Sequence, residues 1–448
     1  MKKTRITRKE KREALETFNL CIELWKIIRH FFPGLIKLLN ETKDHRHQSY
    51  ISYKNHVILF TRILATVFRI ESMRQITESL NKEACIKNIG KILGMGEELK
   101  ELPHWGAINE YLEKLPPAEL EGIIPLLVSR ITRMRSFENS RVRNKYWQVI
   151  IDGTQLYTFN ERHCEHCLMR EHKNEAGEVK RVEYYHVVLE AKLAINGNMV
   201  ISIATEFVEN ESPGVKKQDC ERNAFYRLAK KLKGYFPRMG MCLGMDSLYA
   251  CGPVFSLCRE NGWHYIIRFK DGSISTVAEE FHGLKNIEPT QTWTRKEGGA
   301  TKTYRYVTQI PYQTHELNMA EYVESGLPHP FVFVTGLPIT KRNCEQLVED
   351  GRRRWKIENE GFNAQKNQGM GLEHMFSKNY TAMKNQYFLI QIGHMIAQFL
   401  EAGLRRLKAL AKLPALSIFG NLKEAFRTLL LTDADYELIK QRQQYRFH

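Results

Sequence analysis

The sequence has no unbroken apolar run of the length a bilayer crossing requires. Its first apolar stretch, Phe18 to Phe32, is interrupted by Glu23, Lys26 and Arg29 and stops at Pro33. A membrane span needs about 20 consecutive apolar residues, and a signal peptide an uninterrupted apolar core. We therefore expect a soluble cytoplasmic protein with no membrane partner, in which residues 18–39 form an amphipathic helix broken at Pro33. Closely paired cysteines are also scarce. Of nine, only Cys164 and Cys167 lie near each other, which excludes a disulfide framework and points to a reduced compartment. Acidic residues are in deficit, 51 Asp and Glu against 67 Lys and Arg, leaving a net charge of +16. Such a surplus favours a polyanionic partner.

At 448 residues, with 26% charged and 43% hydrophobic side chains, the chain is globular in composition and long enough for about two to four domains. The first 140 residues read as helices and contain no Cys/His finger. Ile58, Leu59, Ile63, Leu64, Val67 and Phe68 recur at helical spacing, and residues 73–93 fit either a helix-turn-helix or a plain bundle. The pattern changes at Tyr146. Trp147 to Ile151 reads as a buried strand that ends on Asp152 and Gly153. Strands follow over 184–195 and 199–206, joined through Asn196-Gly197, then a helix over 219–233 with Gly234 as its cap. The strand 241–245 ends on Asp246; a helix to Asn261 and the strand 263–269 complete the run. The 75 or so residues that follow exceed any connecting loop. Strand-like 292–296, 303–310 and 331–334 make them a β-rich insertion.

Beyond it, GRRRWKIENEGFNAQK (351–366) reads as a helix in which Leu347, Gly351, Arg354, Glu358, Gly361 and Gln365 share one stripe. Two glycines flanking the acid Glu358 imply a close approach, by DNA or by the sheet, because glycine inside a helix costs about 0.5–1 kcal/mol. An ordinary Arg354–Glu358 surface pair is the simpler alternative. Glu360 is a second candidate acid, but it points away from Arg354. Three carboxylates, Asp152, Asp246 and Glu358, suit two Mg²⁺ (or Mn²⁺) ions in phosphoryl transfer, since such hard ions take oxygen ligands and keep much of their water.

The element order and the segments IIDGTQ, GMDSLYACGPVF and RRRWKIENEGF resemble the RNase H-like DDE transposases of bacterial insertion sequences, in the group with a β-strand insertion before the glutamate. SMRQITESL (72–80) and LPHWGAINEYLEKL (102–115) are similar to that group's helical N-terminal region. The resemblance implies an α/β fold: an RNase H-like mixed sheet flanked by helices, interrupted by a β-rich insertion, behind a helical N-terminal domain. The expected domains are 1–140 (DNA-binding and dimer contacts), 141–270 and 343–410 (catalytic core), 271–342 (insertion) and 411–448 (helical tail). It further implies metal binding by Asp152, Asp246 and Glu358, cleavage and strand transfer at terminal inverted repeats, double-stranded DNA (transposon ends and target) as partner, a homodimer on DNA, and a bacterial, nucleoid-associated location. A nuclease without strand transfer and an inactive DNA-binding derivative are the alternatives. The family's helix signature places a tyrosine where this chain has Gly351 and a lysine where it has Gln365, with Lys366 one residue later. Arg354 and Lys366 are the expected DNA contacts on this helix.

Two further constellations stand out. His163-Cys164-Glu165-His166-Cys167, with His172 and His186 downstream, offers a zinc set of Cys164, Cys167, His172 and one of His163 or His186. In the insertion, Trp293, Arg295 and Lys296 combine an aromatic ring with cations, as a surface tracking phosphates would, with Trp293 stacking on an unpaired base.

Overall fold

Three consecutive β-branched residues, Val149, Ile150 and Ile151, have no exposed surface, and the sheet is built outward from the strand that carries them. The computed structural model describes residues 19–445, apart from 48, 50, 196–198, 213, 214, 216, 288, 406–411 and 442–444. The strands are β1 (Trp147–Phe159), β2 (Leu168–Lys173), β3 (Val179–Ile195), β4 (Met199–Val208), β5 (Met241–Met245), β6 (His264–Phe269), β7 (Thr292–Glu297), β8 (Ala300–Tyr312), β9 (His315–Glu324) and β10 (Phe331–Thr335). The chain forms two compact units, one of residues 137–155 and 186–361, the other of 1–136, 156–185 and 362–448.

The first of these units is a mixed α/β body. Its sheet runs β3-β1-β5-β6-β10-β9-β8-β7, with β4 also paired to β3. Strands β1, β5 and β6 are mutually parallel in sequence along the sheet, and β3 and β4 are antiparallel. The order β4-β3-β1-β5-β6 is the RNase H-like arrangement, flanked by helices such as Glu221–Tyr235 and Gly252–Asn261. Ile195 pairs with Met199, as a tight hairpin there requires; the turn itself, Asn196-Gly197, lies outside the described residues. The helix expected to stop at Gly234 runs through it to Tyr235.

Two departures have clear causes. Strand β1 does not end at Ile151 but continues past Asp152 to Phe159, because its other neighbour, β3, runs on after β5 has stopped. The residues read as an insertion extend the same sheet, β10 pairing antiparallel with β6. Strand β9 escaped the alternation test because Leu317 to Tyr322 are all buried. Its polar members are satisfied instead: Glu321 pairs with Arg305 at 2.6 Å and Lys285 at 2.9 Å, and Asn318 donates to Leu337 O at 3.1 Å.

The second unit is helical apart from the hairpin of β2 and the start of β3. Helices Asn55–Val67 and Tyr380–Leu404 form its centre, and every residue of the former is buried. Buried Arg62 is held there by Gln386 Oε1 at 2.5 Å, Thr66 Oγ1 at 2.8 Å and the Phe376 ring at 4.6 Å.

The glycines flanking Glu358 face protein. A methyl on Gly351 would lie 2.6 Å from the Phe333 ring, whereas one on Gly361 would meet the flexible Lys192 stem at 3.3 Å. Gly351→Ala is therefore expected to destabilise by about 1–3 kcal/mol through overpacking, and Gly361→Ala by less than about 1 kcal/mol. Denaturant unfolding of the two variants measures the contrast; equal losses would remove this explanation.

Candidate active site

The site begins with strand register. In the parallel pair β1–β5, Ile150 lies opposite Gly244, so Asp152 and Asp246, each two residues further on, leave the pair at the same level. Adjacent strands are about 4.8 Å apart, which sets the scale of the separation. Asp246 Oδ1 accepts the Leu248 N–H at 2.9 Å and so caps the turn Ser247–Tyr249, and Asp152 Oδ1 accepts the Gly153 N–H at 3.1 Å.

Glu358 arrives on an irregular helix. The α-helix Cys344–Arg352 tightens to a 3₁₀ turn at Arg353–Trp355 and then widens to a π-helix over Ile357–Asn363. Such wide turns redirect side chains and favour functional sites. Arg354, whose side chain is 12% exposed, bridges Asp152 Oδ2 at 2.8 Å and Glu358 Oε1 at 3.1 Å. Asp152's charged neighbours are Arg354, Glu358 and Glu221; Glu360 interacts instead with Lys356.

Glu221 was missed by the sequence reading. It opens the helix Glu221–Tyr235, accepts the Tyr249 hydroxyl at 2.7 Å, and a methyl on Gly153 would stand 2.7 Å from its Oε2. Glycine beside Asp152 is thus required for a second carboxylate to approach. Only a gap of 69 residues from Asp152 and a helix-start position marked it in sequence, and many structural glutamates share both.

The electrostatics are those of a crowded acid cluster. Burial, with the charges of Glu358 and Glu221, pushes the Asp152 carboxyl up to about 7 despite Arg354; burial and Asp246 raise Glu221 as well. The donors are all hard carboxylate oxygens, crowded and partly desolvated, a set that fits divalent Mg²⁺ or Mn²⁺.

The other expected residues are distributed as follows. Lys366 lies in the helical unit, paired with Glu373 at 2.8 Å, while its neighbour Gln365 is buried against Gln391 and His394. Trp293 stacks on Tyr304 at 5.6 Å and donates its indole N–H to Glu345 at 3.0 Å; exposed Arg295 reaches the same carboxylate at 3.2 Å, and Lys296 is exposed.

The Cys/His set needs a correction. Cys164 Sγ is 3.3 Å from Cys167 Sγ, which is 3.4 Å from His163 Nδ1, and His186 completes a group whose ligand atoms all lie within 4.8 Å of one another. His172 is not in it. It pairs with Arg181 across the β2–β3 ladder and contacts Glu183 at 3.4 Å. Five strand residues beyond Cys167, it is roughly 16 Å along the hairpin.

A mixed sheet with acids level on neighbouring parallel strands, and a third acid on a later helix, defines an RNase H-like α/β protein. A family profile described as the transposase DDE domain matches residues 221–396, a stretch that includes Glu221, Asp246 and Glu358 and begins after Asp152. Among solved structures the chain is similar to a cryo-EM structure of a piggyBac transposase synaptic complex with hairpin DNA, at 11% identity and a TM-score of 0.38, over 98% of this chain and 85% of that one. No curated relative matches the chain. Among the described residues no helix is long and apolar enough to cross a membrane.

Asp152 supplies a pH test. Its folded pKa, about 7, lies above the unfolded value of about 3.9, so its contribution to stability is full below about pH 4 and is lost as pH rises through 7. In metal-free protein, Asp152→Asn is expected to raise the thermal midpoint at pH 8 by about 2–4 °C and to change it little at pH 4. A midpoint lowered at pH 8 would contradict the desolvated-acid account.

Proposed function

We propose that the protein is a DNA transposase that binds the terminal inverted repeats of its own insertion sequence and, with divalent metal, cleaves the DNA ends and joins them to target DNA. What supports the reading is the level placement of Asp152 and Asp246, with Asp152 tied through Arg354 to Glu358, in a chain whose residues 221–396 match a transposase DDE domain profile. Asp152, Asp246 and Glu358 are the ligands, with Glu221 beside them. Two ions of the Mg²⁺ or Mn²⁺ type, when bound, activate a water or a 3′-hydroxyl and stabilise the leaving oxygen.

The protein's own part is placement. Two strands hold two carboxylates rigidly, and the π-turn brings up the third. Arg354 offsets the mutual repulsion of Asp152 and Glu358 and keeps them oriented. Arg295, Lys296 and the indole of Trp293 form a cationic, aromatic edge for DNA, and Lys366, a flexible point charge, contacts a phosphate on the same reading. The net charge of +16 favours such contacts. Working on two ends at once makes a homodimer on DNA the expected assembly, in a bacterial cytoplasm.

The test uses labelled inverted-repeat ends, target plasmid and Mg²⁺. Asp152→Asn, Asp246→Asn and Glu358→Gln should each lower cleavage by at least about a thousandfold, the several kcal/mol expected of a lost metal ligand, and leave end binding within about threefold. Glu221→Gln should weaken Mn²⁺ binding with a smaller loss of rate. Full cleavage in any of the first three removes that residue from the set. Cleavage without covalent joining would make the protein a nuclease of this fold, and binding without nicking a DNA-binding derivative.

A further inference from the structure

The Cys/His group lies outside the acid cluster and plays no part in the proposed chemistry. From Met169 to Tyr185 the β2–β3 hairpin has no buried residue. Its cations, Arg170, Lys173, Lys180 and Arg181, are balanced by Glu171, Glu175, Glu178 and Glu183, so it is not a phosphate-tracking arm. Ordering a backbone costs about 1–2 kcal/mol per residue, and a hairpin with no core of its own has little to offset this. What is buried is its base: Cys167 and Leu168 on one side and His186 on the other, at 0%, 4% and 1% exposure.

Ladder register explains why these residues meet. Leu168 lies opposite Tyr185, so the next residues outward, Cys167 and His186, face one another. The loop before β2 brings in Cys164 and His163, the latter set by its ring contact with Phe159 at 3.8 Å. His166 turns elsewhere, its ring 4.7 Å from Tyr380. We propose that His163, Cys164, Cys167 and His186 bind one structural zinc ion that fastens the base of this hairpin.

Geometry and charge both support the assignment. Tetrahedral zinc with Zn–S of about 2.3 Å and Zn–N of about 2.0 Å places its ligand atoms about 3.3–3.8 Å apart. The S–N separation here, 3.4 Å, is close to the roughly 3.5 Å of a zinc-bound sulfur–nitrogen pair, and the two sulfurs, 3.3 Å apart, need to part by only about 0.5 Å to reach the roughly 3.8 Å of a zinc-bound pair. Two thiolates and two neutral imidazoles around Zn²⁺ carry no net charge, so the complex can be buried without the cost of an unpaired ion. The two thiol protons pass to solvent on binding, and affinity accordingly falls as pH drops.

The experiment uses the full chain, purified without a histidine tag from zinc-supplemented cells, with metal content read by elemental analysis. About one zinc per chain is expected. His186→Gln and the double variant Cys164→Ser/Cys167→Ser should lose it, while His172→Gln and Asp152→Asn keep it. Cobalt exchange into the unaltered protein should give thiolate-to-cobalt charge transfer and the intense visible bands of a tetrahedral site, a readout that stands even where a variant fails to fold. Near-zero zinc, a Cys164–Cys167 disulfide in thiol titration, cobalt spectra without thiolate bands, or zinc lost with His172→Gln and kept with His186→Gln would each overturn the proposal.

Discussion

Everything at the acid site follows from holding two carboxylates side by side on the ends of one parallel strand pair. Asp152, largely out of water, is crowded by the like charges of Glu358 and Glu221, and Asp246 in turn crowds Glu221. The surrounding features answer that repulsion. Arg354 reaches between Asp152 and Glu358, the Tyr249 hydroxyl donates to Glu221, and backbone N–H groups take one oxygen each of Asp152 and Asp246. The remaining imbalance is seen in Asp152, whose proton is held up to about pH 7.

The same treatment of buried charge recurs beneath the glutamate-bearing helix. Lys192 and Glu190, both fully buried, pair at 3.7 Å, and Glu190 accepts further hydrogen bonds from Ser202 and Thr205. Gly361 lies over the Lys192 stem, so the π-turn carrying Glu358 rests on this pair rather than on a purely apolar surface. In the helical unit, Arg62 donates to Gln386 and Thr66 and lies over the Phe376 ring, while its second terminal nitrogen is buried without a hydrogen bond. A buried ion pair adds little net stability once desolvation is counted, but it penalises alternative packings that would leave either charge unpaired. The Cys/His group is the counterpart for metal: two thiolates become acceptable in a buried position once a divalent ion neutralises them.

Much of the sheet was legible because buried strands are short, apolar and bounded by turn residues. The run at 147–151, the hairpin pair around 195 and 199, and the strands at 241–245 and 263–269 carry that signal plainly. Strand β9 did not, since burial on both faces erases alternation and its buried Glu321 and Asn318 imitate a loop. Helical periodicity set Glu358 beside Arg354, four residues being close to one turn of about 3.6. It gave no sign of the π-turn, which depends on Gly361 seating on Lys192 and Gly351 on Phe333, contacts made by residues far away in the chain.

By itself the sequence determined the residue types and their order: two acids each following an apolar strand run, a third beside an arginine on a later helix, a cysteine pair among histidines, and an excess of positive charge. These are local matters of burial, periodicity and composition. Only the tertiary structure decided which groups share a site. It set Glu221 beside the acids, left His172 out of the Cys/His group while bringing both His163 and His186 into it, and engaged Trp293 with Tyr304 and Glu345. The physical reason is register: strand pairing sets which residues stand opposite, and a shift of a single residue along a ladder moves a side chain to the other face.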